Sequence, residues 1–175
     1  GEALAKKLYD AGAAVTIVAR NVDKLKQASD NISKSGKGKI QHFSFDMNNP
    51  DVKDVNKLLD QAEDTFGPID YLFCNAGSSL PSMFLEADPK YFESQITINY
   101  LGYVKMSQPV AQRMAKRKSG TIVYVSSILA TITCPGYSPY SPSKHAIKAL
   151  ADVVELEMKP YNVKVHLFLP GTIDS

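Results

Sequence analysis

Tyr140 and Lys144 form a Tyr-x-x-x-Lys pair, and Ser127 lies thirteen residues before the tyrosine. Residues four apart on a helix share one face, so the phenol and the ammonium should be neighbours. Because a cation favours the phenolate, we expect Lys144 to lower the pKa of Tyr140 from about 10 towards neutrality. Such a tyrosine could donate a proton to a ketone oxygen, or remove one from an alcohol.

The residues around this pair suit the start of a helix. Ser138 is a favourable N-cap, and Pro139 is a favourable first helical residue. Pro142 would fall in the first turn, where it removes at most one backbone hydrogen bond. Tyr140 would then lie near the positive end of the helix dipole, which also favours the phenolate. The alternative is that Tyr140 is a packing aromatic and Lys144 a solvated charge.

Strand patterns, among them the β-branched apolar run 14–19, alternate with segments of helical spacing along the whole chain. The predicted strands are 14–19, 40–45, 69–73, 121–125 and 163–169. The predicted helices are 3–11, 21–32, 51–66 and 138–161, and the stretch 89–118 suits one helix or two. This alternation predicts a doubly wound α/β fold, in which a parallel sheet carries helices on both faces. We expect a single domain over residues 1–175.

A polar or turn residue follows each predicted strand. These residues are Arg20, Asp46, Asn75, Ser127 and the pair Pro170-Gly171. In an open parallel sheet, ligands bind beyond the carboxyl ends of the strands. We therefore expect a binding site at that edge.

Two features at the start of the chain suggest a dinucleotide. Gly1 precedes a helix and resembles the last glycine of a phosphate-binding loop, where a helix N-terminus faces a pyrophosphate. After the strand 14–19, a carboxylate would bind a ribose hydroxyl, whereas this chain has Arg20, with Lys24 one turn on. An arginine fork suits a 2′-phosphate, which predicts NADP rather than NAD. The alternative for Arg20 is a surface residue capping a strand.

The order and spacing of several motifs resemble the short-chain dehydrogenase/reductase family over the whole chain. These motifs are Cys74-Asn75-Ala76-Gly77, Asn99-Tyr100-Leu101-Gly102, Ser127, Tyr140-x-x-x-Lys144 and Pro170-Gly171. The resemblance implies a Rossmann-like domain that binds NADP. It also implies that the chain is incomplete, lacking the first strand and the C-terminal elements.

The resemblance also implies roles for individual residues. Tyr140 would be the acid/base, Lys144 would lower its pKa and bind the nicotinamide ribose, and Ser127 would hold the substrate carbonyl. Asn99 would hold a water that links Lys144 to solvent. Ser126 would lie close to the cofactor, and it is the alternative for the serine role. The remaining cofactor-binding residues implied are Asp46, Met47, Asn75, Ala76, Gly77, Pro170, Gly171 and Thr172.

Within the family, the segments 98–102, 120–127 and 157–163 resemble members that reduce a long-chain ketone of sphingolipid synthesis with NADPH. A steroid or retinoid dehydrogenase of the same fold is the alternative enzyme, and a non-catalytic, NADP-sensing scaffold is the alternative of another class. Such a lipid substrate would place the protein at the cytosolic face of the endoplasmic reticulum. The family implies a homodimer formed through the helices around 99–118 and 138–161.

Composition limits the other possibilities. A net charge of +2 gives no electrostatic case for nucleic acid. The two cysteines suggest a reducing compartment rather than a disulfide framework, and the three histidines, His42, His145 and His166, lack metal-ligand spacing. The basic cluster at 113–118 suits a helix C-terminus, or alternatively an anionic membrane surface. No apolar run approaches a membrane span, so any membrane association would come from parts outside this chain.

Overall fold

Helices and parallel strands alternate along the chain, as the sequence predicts. The computed structural model describes residues 1–36, 38–48 and 50–173. It divides into two compact units, of which the first is Gly1–Met47 with Asn56–Pro68 and the second is Asn48–Val55 with Ile69–Ser175.

The first unit is built around two parallel strands. Its elements are α1 (Glu2–Asp10), β1 (Ala14–Ala19), α2 (Val22–Ser33), β2 (Lys39–Ser44) and most of α3 (Val52–Phe66). Val15 of β1 pairs in register with Ile40 of β2, and it packs in a small core with Ala5, Tyr9 and Ile32. Gln41 ties α3 to the strands, because its amide donates to the Ala62 carbonyl and to the Thr16 hydroxyl.

The second unit contains a three-stranded parallel sheet in the order β3-β4-β5. Its strands are β3 (Tyr71–Cys74), β4 (Gly120–Val125) and β5 (Val163–Phe168). Its helices are α4 (Pro89–Gln95), a π-helical turn (Ile96–Leu101), α5 (Gly102–Arg117), a short 3-10 helix (Ile128–Ala130), α6 (Tyr140–Met158) and a second 3-10 turn (Lys159–Tyr161).

The hydrophobic core of this unit lies around the central strand β4. Its Ile122 and Tyr124 side chains are buried, as are Val110 and Met114 of α5 and Ile147 of α6. Helices therefore cover a strand whose neighbours on both sides are parallel, which is the arrangement that crossover connections produce.

The stretch 89–118, for which the sequence left one helix or two open, is two α-helices joined by the π turn. A π turn inserts an extra residue into a helix, and such turns are often found at functional sites. Among the described residues, no helix has both the length and the hydropathy to cross a bilayer.

Candidate active site

Lys144 lies between two aromatic rings. Tyr140 is the first residue of α6, and the Lys144 ammonium, one turn further on, lies 5.6 Å from the centroid of its ring. The same ammonium lies 5.7 Å from the centroid of the Tyr103 ring. It donates a hydrogen bond to the carbonyl of Val125, the last residue of β4, at 3.2 Å. Ring quadrupoles and a carbonyl thus stabilise a cation at the carboxyl end of β4.

Burial changes the acidity of this lysine. The residue is only 5% exposed, and loss of solvent lowers the pKa of Lys144 from 10.5 to about 8. Burial also raises the pKa of Tyr103, so this neighbour stays a neutral phenol whose hydroxyl donates to the Val125 carbonyl at 3.2 Å. Lys144 can therefore gain or lose a proton close to physiological pH.

The predicted lowering of the Tyr140 pKa is wrong in this structure. Burial of the phenol raises the pKa of Tyr140 above 10; the side-chain hydrogen bond with Ser127 opposes the rise, and Tyr137 adds to it. The attraction of a cation favours the phenolate, but the loss of solvent on burial disfavours it and is the largest cause of the shift. Tyr140 is therefore a neutral phenol at physiological pH, a form suited to donating a proton.

The two serines after β4 have different partners. The Ser127 hydroxyl is close enough to the Tyr140 phenol to oppose the rise in its pKa, and it accepts the Leu129 N–H, at 3.2 Å, where it caps the 3-10 helix. The Ser126 hydroxyl instead donates to the Lys144 carbonyl at 2.8 Å. The geometry therefore favours Ser127 over Ser126 for a role beside the phenol.

Asn99 lies in the π turn and is fully buried. Its Oδ1 accepts the Ser78 N–H, and its Nδ2 donates to the Ser78 carbonyl, both at 3.0 Å. Nδ2 also lies 3.0 Å from the Ser143 hydroxyl, which itself donates to the Tyr140 carbonyl at 2.7 Å. Asn99 thus connects the loop after β3 to the first turn of α6.

Gly77 packs tightly against this network. A Cβ at position 77 would lie 2.9 Å from Asn99 Oδ1 and 3.6 Å from Lys144 Nζ. A side chain here would therefore displace either the amide or the ammonium. Asn75 and Ala76 precede it on the same exposed loop after β3.

The start of α6 differs from the prediction. Pro139, not Ser138, occupies the N-cap position, and no side chain caps this helix. The Ser138 hydroxyl donates instead to the Ser82 carbonyl at 3.3 Å. Tertiary contact with the loop after β3 has replaced the local cap, although Tyr140 still begins the helix as expected.

The loop after β5 joins the same region. The Pro170 carbonyl accepts the Ile128 N–H at 2.9 Å, which fastens the predicted Pro170-Gly171-Thr172 segment to the 3-10 helix after Ser127. Gly171 and Thr172 are exposed. The loops after β3, β4 and β5, together with the π turn and the start of α6, therefore carry the predicted site residues of this unit.

The first unit carries the remaining predicted residues. Arg20 and Asp46 follow β1 and β2, and the Arg20 Nε lies 3.9 Å from Asp46 Oδ1, with both side chains more than half exposed. Lys24 is exposed in the first turn of α2, where its N–H bonds the N-cap Asn21 at 2.8 Å. Gly1 is the N-cap residue of α1, and Met47 is half-buried shortly after β2.

Sequence reasoning missed three residues of the second unit. Gln95 is fully buried and contacts Asn99, Ser143 links Asn99 to Tyr140, and Tyr103 holds Lys144. Gln95 lies four residues before Asn99, so helical spacing alone could have placed it on the same face. Asn99 and Ser143 are 44 positions apart in the sequence, so no local pattern predicts their contact.

An apolar loop, which we define as residues 80–85, lies close to the start of α6. Its Ser82 N–H donates to the Gly136 carbonyl at 2.8 Å, and Ser82 forms a β-bridge with Tyr137, whose ring packs against Tyr140. Exposed large side chains of this loop are Leu80, Met83, Phe84 and Leu85. Phe84 also lines a pocket with Ala87, Pro89 and Phe92.

Two free cysteines differ in their surroundings. Cys74 at the end of β3 is buried, which raises the pKa of its thiol to about 12. Cys134 is exposed in the segment between the 3-10 helix and α6. Within the described residues, no group of three or more His, Cys, Asp or Glu side chains is placed to hold a metal ion.

Comparison with known proteins identifies the family. The short chain dehydrogenase family model matches residues 1–175, the whole chain. The chain belongs to the short chain dehydrogenase family. Among its relatives, 3-ketodihydrosphingosine reductase of Mus musculus is 39% identical over 178 residues, covering 100% of this chain and 53% of the relative. The 3-dehydrosphinganine reductase of Danio rerio is 36% identical with the same coverage.

A further relative is dehydrogenase/reductase SDR family member 7B of Mus musculus, 33% identical over 99% of this chain and 54% of the relative. The chain thus spans about half the length of these curated relatives. Solved structures agree on the family fold. NAD+-bound xylitol dehydrogenase matches 100% of this chain and 66% of its own, with a TM-score of 0.94 and 27% identity. Actinorhodin polyketide ketoreductase with NADPH matches with a TM-score of 0.90 at 22% identity, covering 99% of this chain and 66% of its own.

The match confirms the predicted fold. The chain has the Rossmann-like architecture of the short chain dehydrogenases, with parallel strands flanked by helices. Members of the family are oxidoreductases that use a nicotinamide cofactor, and the structures matched here include an NAD+ complex and an NADPH complex.

Proposed function

We propose that the protein reduces a ketone to an alcohol with NADPH. One observation carries the proposal: Ser127, Tyr140 and Lys144 come together at the carboxyl end of β4, with Tyr140 held as a neutral phenol. A neutral phenol hydrogen-bonded with a serine is a proton donor, as ketone reduction requires. A scaffold that only senses a nucleotide needs neither the phenol nor the buried cation.

Each residue has a separate role in the proposed reaction. The Ser127 hydroxyl binds the ketone oxygen and turns it towards the phenol. Tyr140 donates its proton to that oxygen as the carbonyl carbon is reduced, and the alcohol leaves. The ammonium of Lys144 stabilises the negative charge that develops on the phenol oxygen. Asn99 would hold the water that links Lys144 to solvent and returns a proton.

The residues present fit a nicotinamide dinucleotide. NADPH, when bound, supplies the hydride. Gly77, where a Cβ would meet Asn99 and Lys144, lets the loop 75–77 lie close to a ribose, and Ser126 contributes its backbone. On the nicotinamide side, Lys144 binds the ribose and the segment 170–172 binds the amide.

The first unit, taken by itself, carries residues that we propose bind the adenosine part of the cofactor. The N-terminus of α1 after Gly1 binds phosphate through its free N–H groups. Arg20 and Lys24 bind a 2′-phosphate, which selects NADP over NAD, and Asp46 and Met47 bind adenine. The exposure of the two cations supports this assignment, because both are accessible to an anionic ligand.

We further propose 3-ketodihydrosphingosine, a long-chain ketone of sphingolipid synthesis, as the substrate. Relatives that carry this activity in their names are 36–39% identical over the whole chain. The apolar loop supports a lipid, because its exposed side chains lie beside the segment that leads into Tyr140. An alkyl chain leaving the site could cover this surface.

This substrate places the protein at the cytosolic face of the endoplasmic reticulum. We also propose a homodimer formed through α5 and α6, since Val153 and Leu156 present exposed apolar side chains on α6 at helical spacing.

The test is NADPH oxidation by the full-length protein with a panel of ketones. We expect turnover of 3-ketodihydrosphingosine and much weaker turnover of keto-steroids and retinals. Preference for a steroid or retinal would contradict 3-ketodihydrosphingosine as the substrate, but it would still support the proposed NADPH-dependent carbonyl reduction. NADPH binding without turnover of any ketone would support the sensing scaffold instead.

A further inference from the structure

Gln95 is a fully buried polar residue for which the proposed reaction has no direct use. It is the last residue of α4, with an exposed fraction of 0%. Its Nε2 donates to the Ser78 hydroxyl at 3.0 Å, and its Oε1 lies 3.3 Å from Asn99 Nδ2. Burying an amide costs free energy that an apolar side chain would not. A polar side chain at this position therefore needs an explanation beyond packing.

The hydrogen bonds around Gln95 connect three elements. Asn99 Nδ2 has two hydrogens and three acceptors within reach, namely the Ser78 carbonyl, the Ser143 hydroxyl and Gln95 Oε1. The Ser143 hydroxyl donates its single hydrogen to the Tyr140 carbonyl. It must therefore accept the hydrogen bond from Asn99 Nδ2. Gln95 thus completes a network that joins the loop after β3, the π turn and the first turn of α6.

Ser78 is held at three atoms. Asn99 binds its N–H and its carbonyl, and Gln95 binds its hydroxyl. The backbone bonds fix the peptide, whereas the bond from Gln95 fixes the side chain. A Cβ at Gly77 would lie 2.9 Å from Asn99 Oδ1, so the loop lies close against the same amide that binds Ser78.

We infer that Gln95 is a positioning residue that acts through Ser78 and Asn99 to hold the loop 75–78 in the conformation that binds the cofactor. This inference rests on the proposed function, which assigns that loop to a cofactor ribose. Gln95 does not touch the reacting atoms. Its removal should weaken NADPH binding more than it changes the recognition of the ketone.

The test compares Gln95→Leu, Ser78→Ala and the double variant in the full-length protein. The NADPH dissociation constant is measured by fluorescence titration. We expect Gln95→Leu to raise it about fivefold to twentyfold, the effect of losing one or two buried hydrogen bonds. Because both changes break the same bond, the double variant should be little worse than Gln95→Leu alone. The Michaelis constant for the ketone should stay within about twofold.

Hydrogen exchange provides a readout that does not depend on the cofactor. The Ser78 N–H, which donates to Asn99, should exchange faster in Gln95→Leu, while amides in β4 stay unchanged. Gln108→Leu, which removes an exposed glutamine from α5, is the matched control and should change neither measurement. A merely structural role would instead lower protection across the unit and leave the dissociation constant of the folded fraction unchanged.

The outcomes separate the two proposals. Failure of the wild-type protein to bind NADPH or to reduce any ketone overturns the proposed function, while exchange at Ser78 still tests the link to Gln95. Unchanged NADPH affinity and unchanged Ser78 exchange in Gln95→Leu overturn the inference. If Gln95→Leu does not fold, Ser78→Ala decides, because it removes the same hydrogen bond from the loop side.

Discussion

At the scale of single residues, the neutral state of Tyr140 determines what the proposed site can do. We expect Tyr140→Phe to lower kcat by about a thousandfold, because it removes the proton donor. NADPH affinity should be retained, since the ring and its contact with Lys144 remain. Steady-state rates and fluorescence titration measure both effects. Tyr137→Phe, which removes a phenol hydroxyl from the neighbouring ring, is the control. A near-normal kcat in Tyr140→Phe would exclude the mechanism.

The acidity of Lys144 predicts the pH dependence of reduction. Burial raises the pKa of Tyr140 above its ordinary value, whereas it lowers the pKa of Lys144 to about 8. The ammonium is therefore lost first as the pH rises. We expect kcat/KM for the ketone to be constant below pH 7 and to fall through an apparent pKa near 8. A profile that stays flat from pH 7 to about 9.5 would contradict this role.

Because folding lowers the pKa of Lys144, we expect the free energy of unfolding to increase as the pH rises. Between pH 8 and 10.5 the unfolded chain holds a proton on Lys144 that the folded chain has released. The cost of burying the ammonium is therefore greatest below pH 8 and disappears as the pH rises towards 10.5.

Arg20 determines the predicted choice of cofactor. We expect Arg20→Asp to shift preference from NADPH towards NADH by about tenfold to a hundredfold, because a carboxylate repels the 2′-phosphate and can bind a ribose hydroxyl. The ratio of kcat/KM for the two cofactors measures this. Lys26→Asp makes a similar charge change at another exposed position of α2 and should leave the ratio unaltered. An unchanged ratio in Arg20→Asp would refute the assignment.

At the scale of elements, the loop after β3 and the π turn are locked together. Gly77→Ala places a Cβ within 2.9 Å of Asn99 Oδ1, so loop and amide must separate. We expect a loss of about 1–3 kcal/mol in the free energy of unfolding and an NADPH dissociation constant raised about tenfold. Denaturant unfolding and titration check the two effects. If the free energy of unfolding and the NADPH dissociation constant both match the wild type, the close packing at Gly77 is not needed for stability or for cofactor binding.

The elements themselves were largely predictable from sequence. The strand patterns in the sequence predicted each strand that the structure describes to within two residues, because local pattern is the main signal for a strand. The π turn was not predictable, since helical spacing continues on both sides of Asn99. The prediction of Ser138 as the N-cap of α6 was wrong because the Ser138 hydroxyl donates to the carbonyl of Ser82, 56 positions away.

The candidate site was predictable in its members but not in its energetics. Tyr140, Lys144 and Ser127 follow from spacing and family resemblance. The pKa directions depend on burial, which spacing does not give. Helical spacing places Gln95 near Asn99, four residues further on, but it does not give the bond to the Ser78 hydroxyl, because Ser78 lies 17 positions away.

At the scale of the whole molecule, the apolar loop predicts how lipid recognition can be separated from cofactor binding. Leu85 is 96% exposed, so changing it should leave the fold intact. We expect Leu85→Asp to raise the Michaelis constant for a long-chain ketone about fivefold or more, because a charge disfavours contact with an alkyl chain. NADPH affinity should not change.

Leu85→Met, which keeps an apolar surface, is the matched control for this measurement. A shortened, water-soluble ketone should be reduced equally well by both variants and by the wild type. An unchanged Michaelis constant for the long-chain ketone in Leu85→Asp would exclude this loop from substrate binding.

The difference in exposure between Cys74 and Cys134 should allow one of the two thiols to be labelled selectively. Cys74 is buried with its pKa raised to about 12, so its reactive thiolate is scarce and shielded. Cys134 is exposed in the segment between Ser127 and Tyr140. Of these two cysteines, Cys134 should therefore be the one to which a maleimide dye attaches in the folded protein, and the emission of the dye should report movements of the segment between Ser127 and Tyr140.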